Sequence, residues 1–383
     1  MAKSSAPGKR IKLPKLKKSA MDYQFLGTVI VLLAFGLIMI LSASSPVAYA
    51  SYNDSFYYFK KQLIWAIIGG IAMLVASNFE YTKLRQYGKL ALVVSVVLLI
   101  AVLIPGIGVV VNEARRWIQI GPINFQPSEV VKFGVVLFMA VSLADNYKAL
   151  KDFSGLLVYL VILGFIAGLI MLEPHFSCTM LILSSAAVML FAAGVKWTHV
   201  GLLAGPAALG VVVLVASAPY RLQRVTTFLD PFKDIRGEGW QIVQSLYAIG
   251  SGGIFGSGIG QSRQKYLNIP EPQNDFIFSI ICEELGLLGA ILVIALFAFL
   301  IYRGIKIAME APDLFGTLLT LGIISLIAIQ ALVNIAVVTS SMPVTGMPLP
   351  FFSYGGTALA ITMAEMGVVL NVSKHKKKAL EGK

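Results

Sequence analysis

What most constrains this chain is its succession of apolar runs, roughly ten of them, each long enough as a helix to cross about 30 Å of hydrocarbon. They are expected at Asp22 to Ser42, Gln62 to Ser77, Leu90 to Ile104, Ser128 to Ala144, Phe153 to Met171, Cys178 to Ala193, Thr198 to Ser217, Phe278 to Tyr302, Phe315 to Val338 and Gly356 to Leu370. Backbone in hydrocarbon must satisfy its own polar groups, so the runs read as helices. The expected fold class is all-α: a polytopic membrane protein with a large extracytoplasmic loop, about residues 218–277, between helices seven and eight. A mean hydropathy of +0.81, with 57% hydrophobic and 13% charged residues, excludes reading 383 residues as two or three soluble domains. The chain divides into a basic tail over 1–21, a transmembrane domain over 22–373 and a second basic tail over 374–383.

The net charge of +12 is distributed as membrane topology requires and gives no nucleic-acid face. With the N-terminal tail cytoplasmic, Lys83, Arg85, Lys89, Lys148, Lys151, Lys196, Arg303, Lys306 and Lys374 to Lys378 all fall on the same side. Both termini are therefore expected inside. The run from Tyr23 to Leu41 exceeds the usual length of a signal-peptide core, so it reads as an uncleaved first span. Two outer loops break the charge rule: one carries Arg115 and Arg116, the other Arg221, Arg224, Lys233, Arg236, Arg263 and Lys265. Cations held on the disfavoured side suit an anionic substrate. Cys178, Cys282, His175, His199 and His375 show no metal-ligand spacing.

Three segments concentrate the remaining polarity. Asn112 to Trp117 holds the paired arginines, which suit bidentate phosphate binding, and Gln126 to Lys132 opens a helix with Glu129 and Lys132 on one face. That pair reads equally as site residues or as a structural ion pair. Gly250 to Gly260 matches neither a P-loop nor a dinucleotide fingerprint, which disfavours a nucleotide site. Arg263 and Lys265 then approach Asp275, with Glu271 between Pro270 and Pro272. A carboxylate beside cations can take a proton from a hydroxyl while the cations hold a leaving phosphate; an Asp here can equally cap the helix that follows. Met342 to Gly356 is rich in Pro and Gly and reads chiefly as architecture.

Together these segments resemble the SEDS family (shape, elongation, division and sporulation), from Asp22 to Ser373. The resemblance rests on Arg115-Arg116-Trp117-Ile118, Gln126-Pro127-Ser128-Glu129, Gln244 to Gly250, the Pro270 to Gly286 run and Ser353-Tyr354-Gly355-Gly356, in the family's order. Ser217 to Arg221 and Gln261 to Tyr266 look more like the FtsW and SpoVE branch than RodA, while Pro343 to Pro350 would suit RodA as well; FtsW, serving cell division, is preferred, with a RodA- or SpoVE-type polymerase of elongation or sporulation as the alternative. The family implies transfer of glycan between molecules of lipid II, the undecaprenyl-pyrophosphate disaccharide-peptide, outside the cytoplasmic membrane. It implies Asp275 as the base that activates the acceptor 4-hydroxyl in an inverting transfer. Arg115, Arg116, Arg263 and Lys265 are then the expected pyrophosphate contacts, with Glu129, Lys132 and Glu271 completing the substrate site. A divalent cation, Mg or Mn, is compatible with this chemistry, though no residue pattern specifies one. The implied partners are a class B penicillin-binding protein and other division proteins. Asn274 stands where the family usually has Thr, and Glu173-Pro174-His175-Phe176-Ser177 where many members read Gln-Pro-Asp-Leu-Gly, which leaves Glu173 and His175 unexplained. Two other classes fit part of the pattern: a lipid II flippase, which needs no general base, and a scaffold for division proteins, which needs no buried carboxylate.

Overall fold

The apolar runs form helices because an isolated span has no other way to pair its N–H and C=O groups. The computed structural model describes residues 19–375 apart from 112, 113, 122, 218, 236, 238 and 267. Asn112, Glu113, Arg236, most of the N-terminal tail and the cations after His375 therefore lie outside the described residues. The first helices are α1 (Tyr23–Tyr52), α2 (Tyr57–Asn78), α3 (Gly88–Leu103), α4 (Pro127–Asn146), α5 (Phe153–Leu172), α6 (Phe176–Ala192) and α7 (Trp197–Ala216). They are followed by α8 (Pro219–Leu229), α9 (Trp240–Gly252), α10 (Ile277–Glu310), α11 (Leu314–Val338) and α12 (Gly356–Ser373). Among the described residues eight helical segments are long and apolar enough to cross a membrane, and α6 is a shorter apolar helix. The chain is a multi-pass membrane protein.

Two stretches differ from the sequence expectation. The loop before α4 is a three-stranded antiparallel sheet of β1 (Gly108–Val111), β2 (Ala114–Ile120) and β3 (Ile123–Phe125), in that order. Its β-branched residues and the positive φ of Gly121 favour a tight meander, a signal too short to compete with the surrounding apolar runs. The large loop also contains helix: α8 and α9 both lie within 218–277.

The two ends of the described chain meet. The Ser19 N–H donates to the Lys374 carbonyl at 2.6 Å, the Asp22 N–H donates to Ser373 Oγ at 3.1 Å, and Arg303 pairs with the Asp22 carboxylate. At this tail end Tyr81 also joins Asp313 through its hydroxyl, 2.7 Å, and Asn371 through its N–H, 2.9 Å. Helix α2 packs closely on α12 because glycines stand at the crossing. A Cβ at Gly69 would press on Met363, and one at Gly367 would lie 2.4 Å from the Met73 carbonyl oxygen.

Helix α10 is broken at Gly286, whose φ of 65° and ψ of −163° are open only to glycine. The break orphans backbone groups, and the glycine-rich run that follows α9 satisfies them. Leu287 and Leu288 donate to the carbonyls of Gly253 and Ile254, while Ser257 and Gly258 donate to those of Glu283 and Glu284, all at 2.9 to 3.2 Å. Side chains would prevent this approach: a Cβ at Gly252 would lie 2.0 Å from the Cys282 carbonyl oxygen, and one at Gly256 2.2 Å from that of Glu284. The Gly250 to Gly260 run thus serves a backbone rather than an anion.

Two carboxylates at the break organise the next turn. Glu283 accepts from Ser262 Oγ at 2.5 Å and from the Arg263 N–H at 2.8 Å. Glu284, fully buried, pairs with Lys265 Nζ at 2.8 Å, and the Ser42 hydroxyl of α1 bonds both. Removing one partner of a buried pair strands the other charge, at a cost of about 3–5 kcal/mol. Lys265→Met should therefore lower thermal stability markedly, and adding Glu284→Gln should restore most of the loss. Equal destabilisation by the single and double variants, measured as melting temperature in detergent, would refute this structural role.

Candidate active site

Pro270 and Pro272 keep the approach to α10 out of helix, and a turn forms instead. The Asn274 N–H donates to the Glu271 carbonyl at 2.9 Å, and Asn274 Nδ2 donates to Glu271 Oε2 at 2.7 Å. Asp275 follows directly. The N-cap of α10 is Phe276, with no side-chain capping bond, so the Asp275 carboxylate is not occupied as a cap.

The loop is held from α11 and from the segment between α11 and α12. Buried Asn334 donates through Nδ2 to the carbonyls of both Asp275 and Met347, each at 2.7 Å. Ser353 Oγ donates to the Asn274 carbonyl at 2.7 Å and accepts from the Leu349 N–H at 2.7 Å. The Tyr354 N–H donates to the Gln273 carbonyl at 2.8 Å. Gly346, at φ 69°, presents bare backbone to the carboxylate, since a Cβ there would stand 3.4 Å from Asp275 Oδ2. The architecture expected of Met342 to Gly356 has a definite object: it fixes the position of Asp275.

Asp275 is half-buried, and among the described residues its carboxylate makes no hydrogen bond or ion pair. Burial pushes its pKa up to about 6; the Glu271 charge adds to the rise, and Arg224 opposes it. Arg224 comes from α8 and donates to the Val344 carbonyl at 3.2 Å. Sequence reasoning counted it only among the loop cations. The signal that could have singled it out is the helical spacing of Leu222, Val225 and Leu229 between polar residues over 219–229, which makes α8 amphipathic.

The other expected site residues are placed as follows. Glu271 is exposed and bonded to Asn274. Arg263 is exposed, with its backbone tied to Glu283. Lys265 is buried against Glu284 and turned away from any surface. Arg115 Nη1 donates to the Leu103 carbonyl at the end of α3, 3.0 Å. Arg116 Nε donates to the Glu173 carbonyl at the end of α5, 3.0 Å, and its Nη2 to that of Pro174. Both arginines thus complement helix C-termini. Glu129 and Lys132 form a buried ion pair of 2.8 Å, with Gln330 Oε1 3.3 Å from the ammonium. Gln330 also donates to the Pro348 carbonyl at 2.9 Å, which links this pair to the segment that holds Asp275.

Glu173 and His175 flank the turn between α5 and α6. Glu173 is fully buried, and neither carboxylate oxygen has a hydrogen-bond partner among the described residues. Burial raises its pKa to about 8 against the pull of Arg116. Burial, with Arg116 and Lys132 reinforcing it, lowers that of His175 to about 3. In both, burial favours the neutral form. The donor set does not make a closed divalent-cation site: no group of three or more His, Cys, Asp or Glu among the described residues could hold one. Of the two carboxylates at the site, Glu271 has an oxygen already taken by Asn274.

Comparison with known proteins bears on the family and the fold. The FtsW/RodA/SpoVE family, described as cell cycle proteins, matches residues 23–378. Stage V sporulation protein E of Bacillus subtilis is 45% identical over 360 residues, covering 94% of this chain and 98% of that protein. The probable peptidoglycan glycosyltransferase FtsW of Trichlorobacter lovleyi is 42% identical over 367 residues, covering 94% and 96%. Among solved structures, a chain of a peptidoglycan synthase complex superposes with a TM-score of 0.76 at 29% identity, covering 92% of this chain and 98% of that one. The rod shape determining protein RodA of Thermus thermophilus superposes with a TM-score of 0.70 at 27% identity, covering 94% and 99%. Apolar helices, the held Asp275 loop and these likenesses over nearly the whole length lead to one conclusion: the chain belongs to the FtsW/RodA/SpoVE, or SEDS, family.

Proposed function

We propose that this chain is a peptidoglycan glycosyltransferase that polymerises lipid II at the outer face of the cytoplasmic membrane, with Asp275 as general base. Glycosyltransfer as such follows from the family and from the relatives named for it. The observation that carries the mechanism is the Asp275 carboxylate, held by its backbone and, among the described residues, free of side-chain hydrogen bonds; burial raises its pKa to about 6. A base of that strength is ionised at neutral pH and can still accept a proton as a hydroxyl becomes nucleophilic.

In this reading the acceptor 4-hydroxyl loses its proton to Asp275 as its oxygen forms a bond to the donor's anomeric carbon. The bond from that carbon to the pyrophosphate oxygen breaks with inversion, and undecaprenyl pyrophosphate leaves with the electron pair. Arg224, close enough for its charge to act on Asp275, and the exposed Arg263 are the cations of the large loop suited to the departing charge. Lys265, already neutralised by Glu284, is not assigned to it. Both tails are cytoplasmic, by the distribution of Lys and Arg. A class B penicillin-binding protein is the expected partner, as the likeness to a synthase-complex chain suggests. The role assigned is cell division, with FtsW-type relatives at about the 40% level; the 45% identity to a sporulation protein supports a sporulation role as the second reading.

The test is polymerisation of labelled lipid II by the purified protein, alone and with a class B partner. Asp275→Asn should reduce long glycan chains by about 10²–10⁴-fold at unchanged melting temperature. Equal activity would sink the general-base assignment, and inactivity of wild type with every partner would favour a flippase or scaffold. A pH profile gives a second check. Only the ionised carboxylate accepts a proton, so the rate should fall as pH drops through about 6. Arg224 holds the pKa down, so Arg224→Gln should move this acid limb to higher pH; a limb that stays put would remove Arg224 from the site.

A further inference from the structure

The turn between α1 and α2 carries an aromatic cluster that the reaction chemistry leaves unused. Tyr52 closes α1, and Tyr57 and Tyr58 open α2. Tyr52 and Tyr57 stack with ring centroids 3.7 Å apart and planes 13° from parallel. Tyr58 stands edge-on to Tyr57 at 5.3 Å and to Tyr354 at 5.0 Å. Lys61 Nζ lies 4.3 Å from the Tyr57 centroid and donates to its hydroxyl at 2.6 Å. Tyr57 is thus held between a ring and an ammonium, while Tyr52 remains 49% exposed.

This cluster is joined to the Asp275 loop. The Tyr354 N–H donates to the carbonyl of Gln273, two residues before Asp275. Fully buried Gln62, one turn into α2, grips both neighbours of Tyr354: its Nε2 donates to the Ser353 carbonyl at 3.3 Å and its Oε1 accepts from the Gly355 N–H at 3.2 Å. Tyrosines that only anchor a membrane protein at the interface present their rings singly to lipid headgroups. Here four rings pack on one another and are fastened by backbone to the catalytic loop.

We propose that Tyr52, Tyr58 and Tyr354 form a stacking subsite for the sugar rings of the glycan strand beside Asp275, with Tyr57 and Lys61 locking the platform. Pyranose rings expose flat C–H faces that pack on aromatic rings, and their hydroxyls suit the phenol and ammonium groups at the margin. The subsite rests on the polymerase reading for its occupant, yet it binds saccharide whether or not the bond-forming step occurs. It would retain the strand between transfers and so lengthen the product.

The test uses the full-length protein in detergent, with chitotetraose as a lipid-free β-1,4-linked probe followed by saturation-transfer NMR and with glycan length from labelled lipid II as the second readout. Tyr52→Ala with Tyr354→Ala should weaken probe binding on the order of fivefold and shift product to shorter strands. The corresponding Phe substitutions keep the rings and should retain both properties. Binding and strand length that match wild type in the Ala variant, or a change in melting temperature alone, would overturn the subsite and leave the tyrosines as interface anchors. A wild type that polymerises but does not bind the probe would overturn it as well. Tyrosine-dependent binding by a protein that fails to polymerise would uphold the subsite while refuting the polymerase reading.

Discussion

Everything at the loop end of this protein depends on how one broken helix satisfies its backbone. An interruption at membrane depth leaves N–H and C=O groups with no water to meet them, and each orphan would cost several kcal/mol in hydrocarbon. Here the orphans on both sides of Gly286 pair with Gly253, Ile254, Ser257 and Gly258. That pairing carries the return from α9 into the bundle and aligns Ser262 to Lys265 on the carboxylates of Glu283 and Glu284. The stretch from there to Asp275 is consequently short and fastened at both ends.

Polarity at the site is divided by burial. The ion pairs Lys265–Glu284 and Lys132–Glu129 neutralise charges enclosed by protein, so their members contribute to shape. Asp275 is treated differently. Its backbone carbonyl is fixed by Asn334, but among the described residues its carboxylate has no hydrogen-bond or ion-pair partner, and it lies beside a glycine. Burial makes a group so arranged costly to ionise, which is the property the proposed general-base role calls on.

The helices and the interest of Asp275 were legible in the sequence because hydropathy and motif are local properties. What was not legible depended on contacts distant in the chain. Lys265 and Arg263 look alike two positions apart, yet one meets Glu284 and the other faces solvent. The pairing partners of the glycine run lie 26 to 34 residues on, so its backbone role could not be read from spacing. Arg115 and Arg116 had the composition of an anion site, but the ends of α3 and α5 claim several of their donors. The sheet before α4 was missed because its strands are four, seven and three residues long.

The contact between Ser19 and Lys374 has a consequence beyond the fold. Seven Lys and Arg precede Met21, and four more lysines follow Ser373 before the chain ends its basic run at Lys378. Ser19 and Lys374, the described residues that adjoin these segments, are in contact, and two charge clusters tethered side by side would act as a bivalent unit. Once one tail engages an anionic surface or partner, the other is presented at high effective concentration, and the pair holds more firmly than either charge cluster would alone.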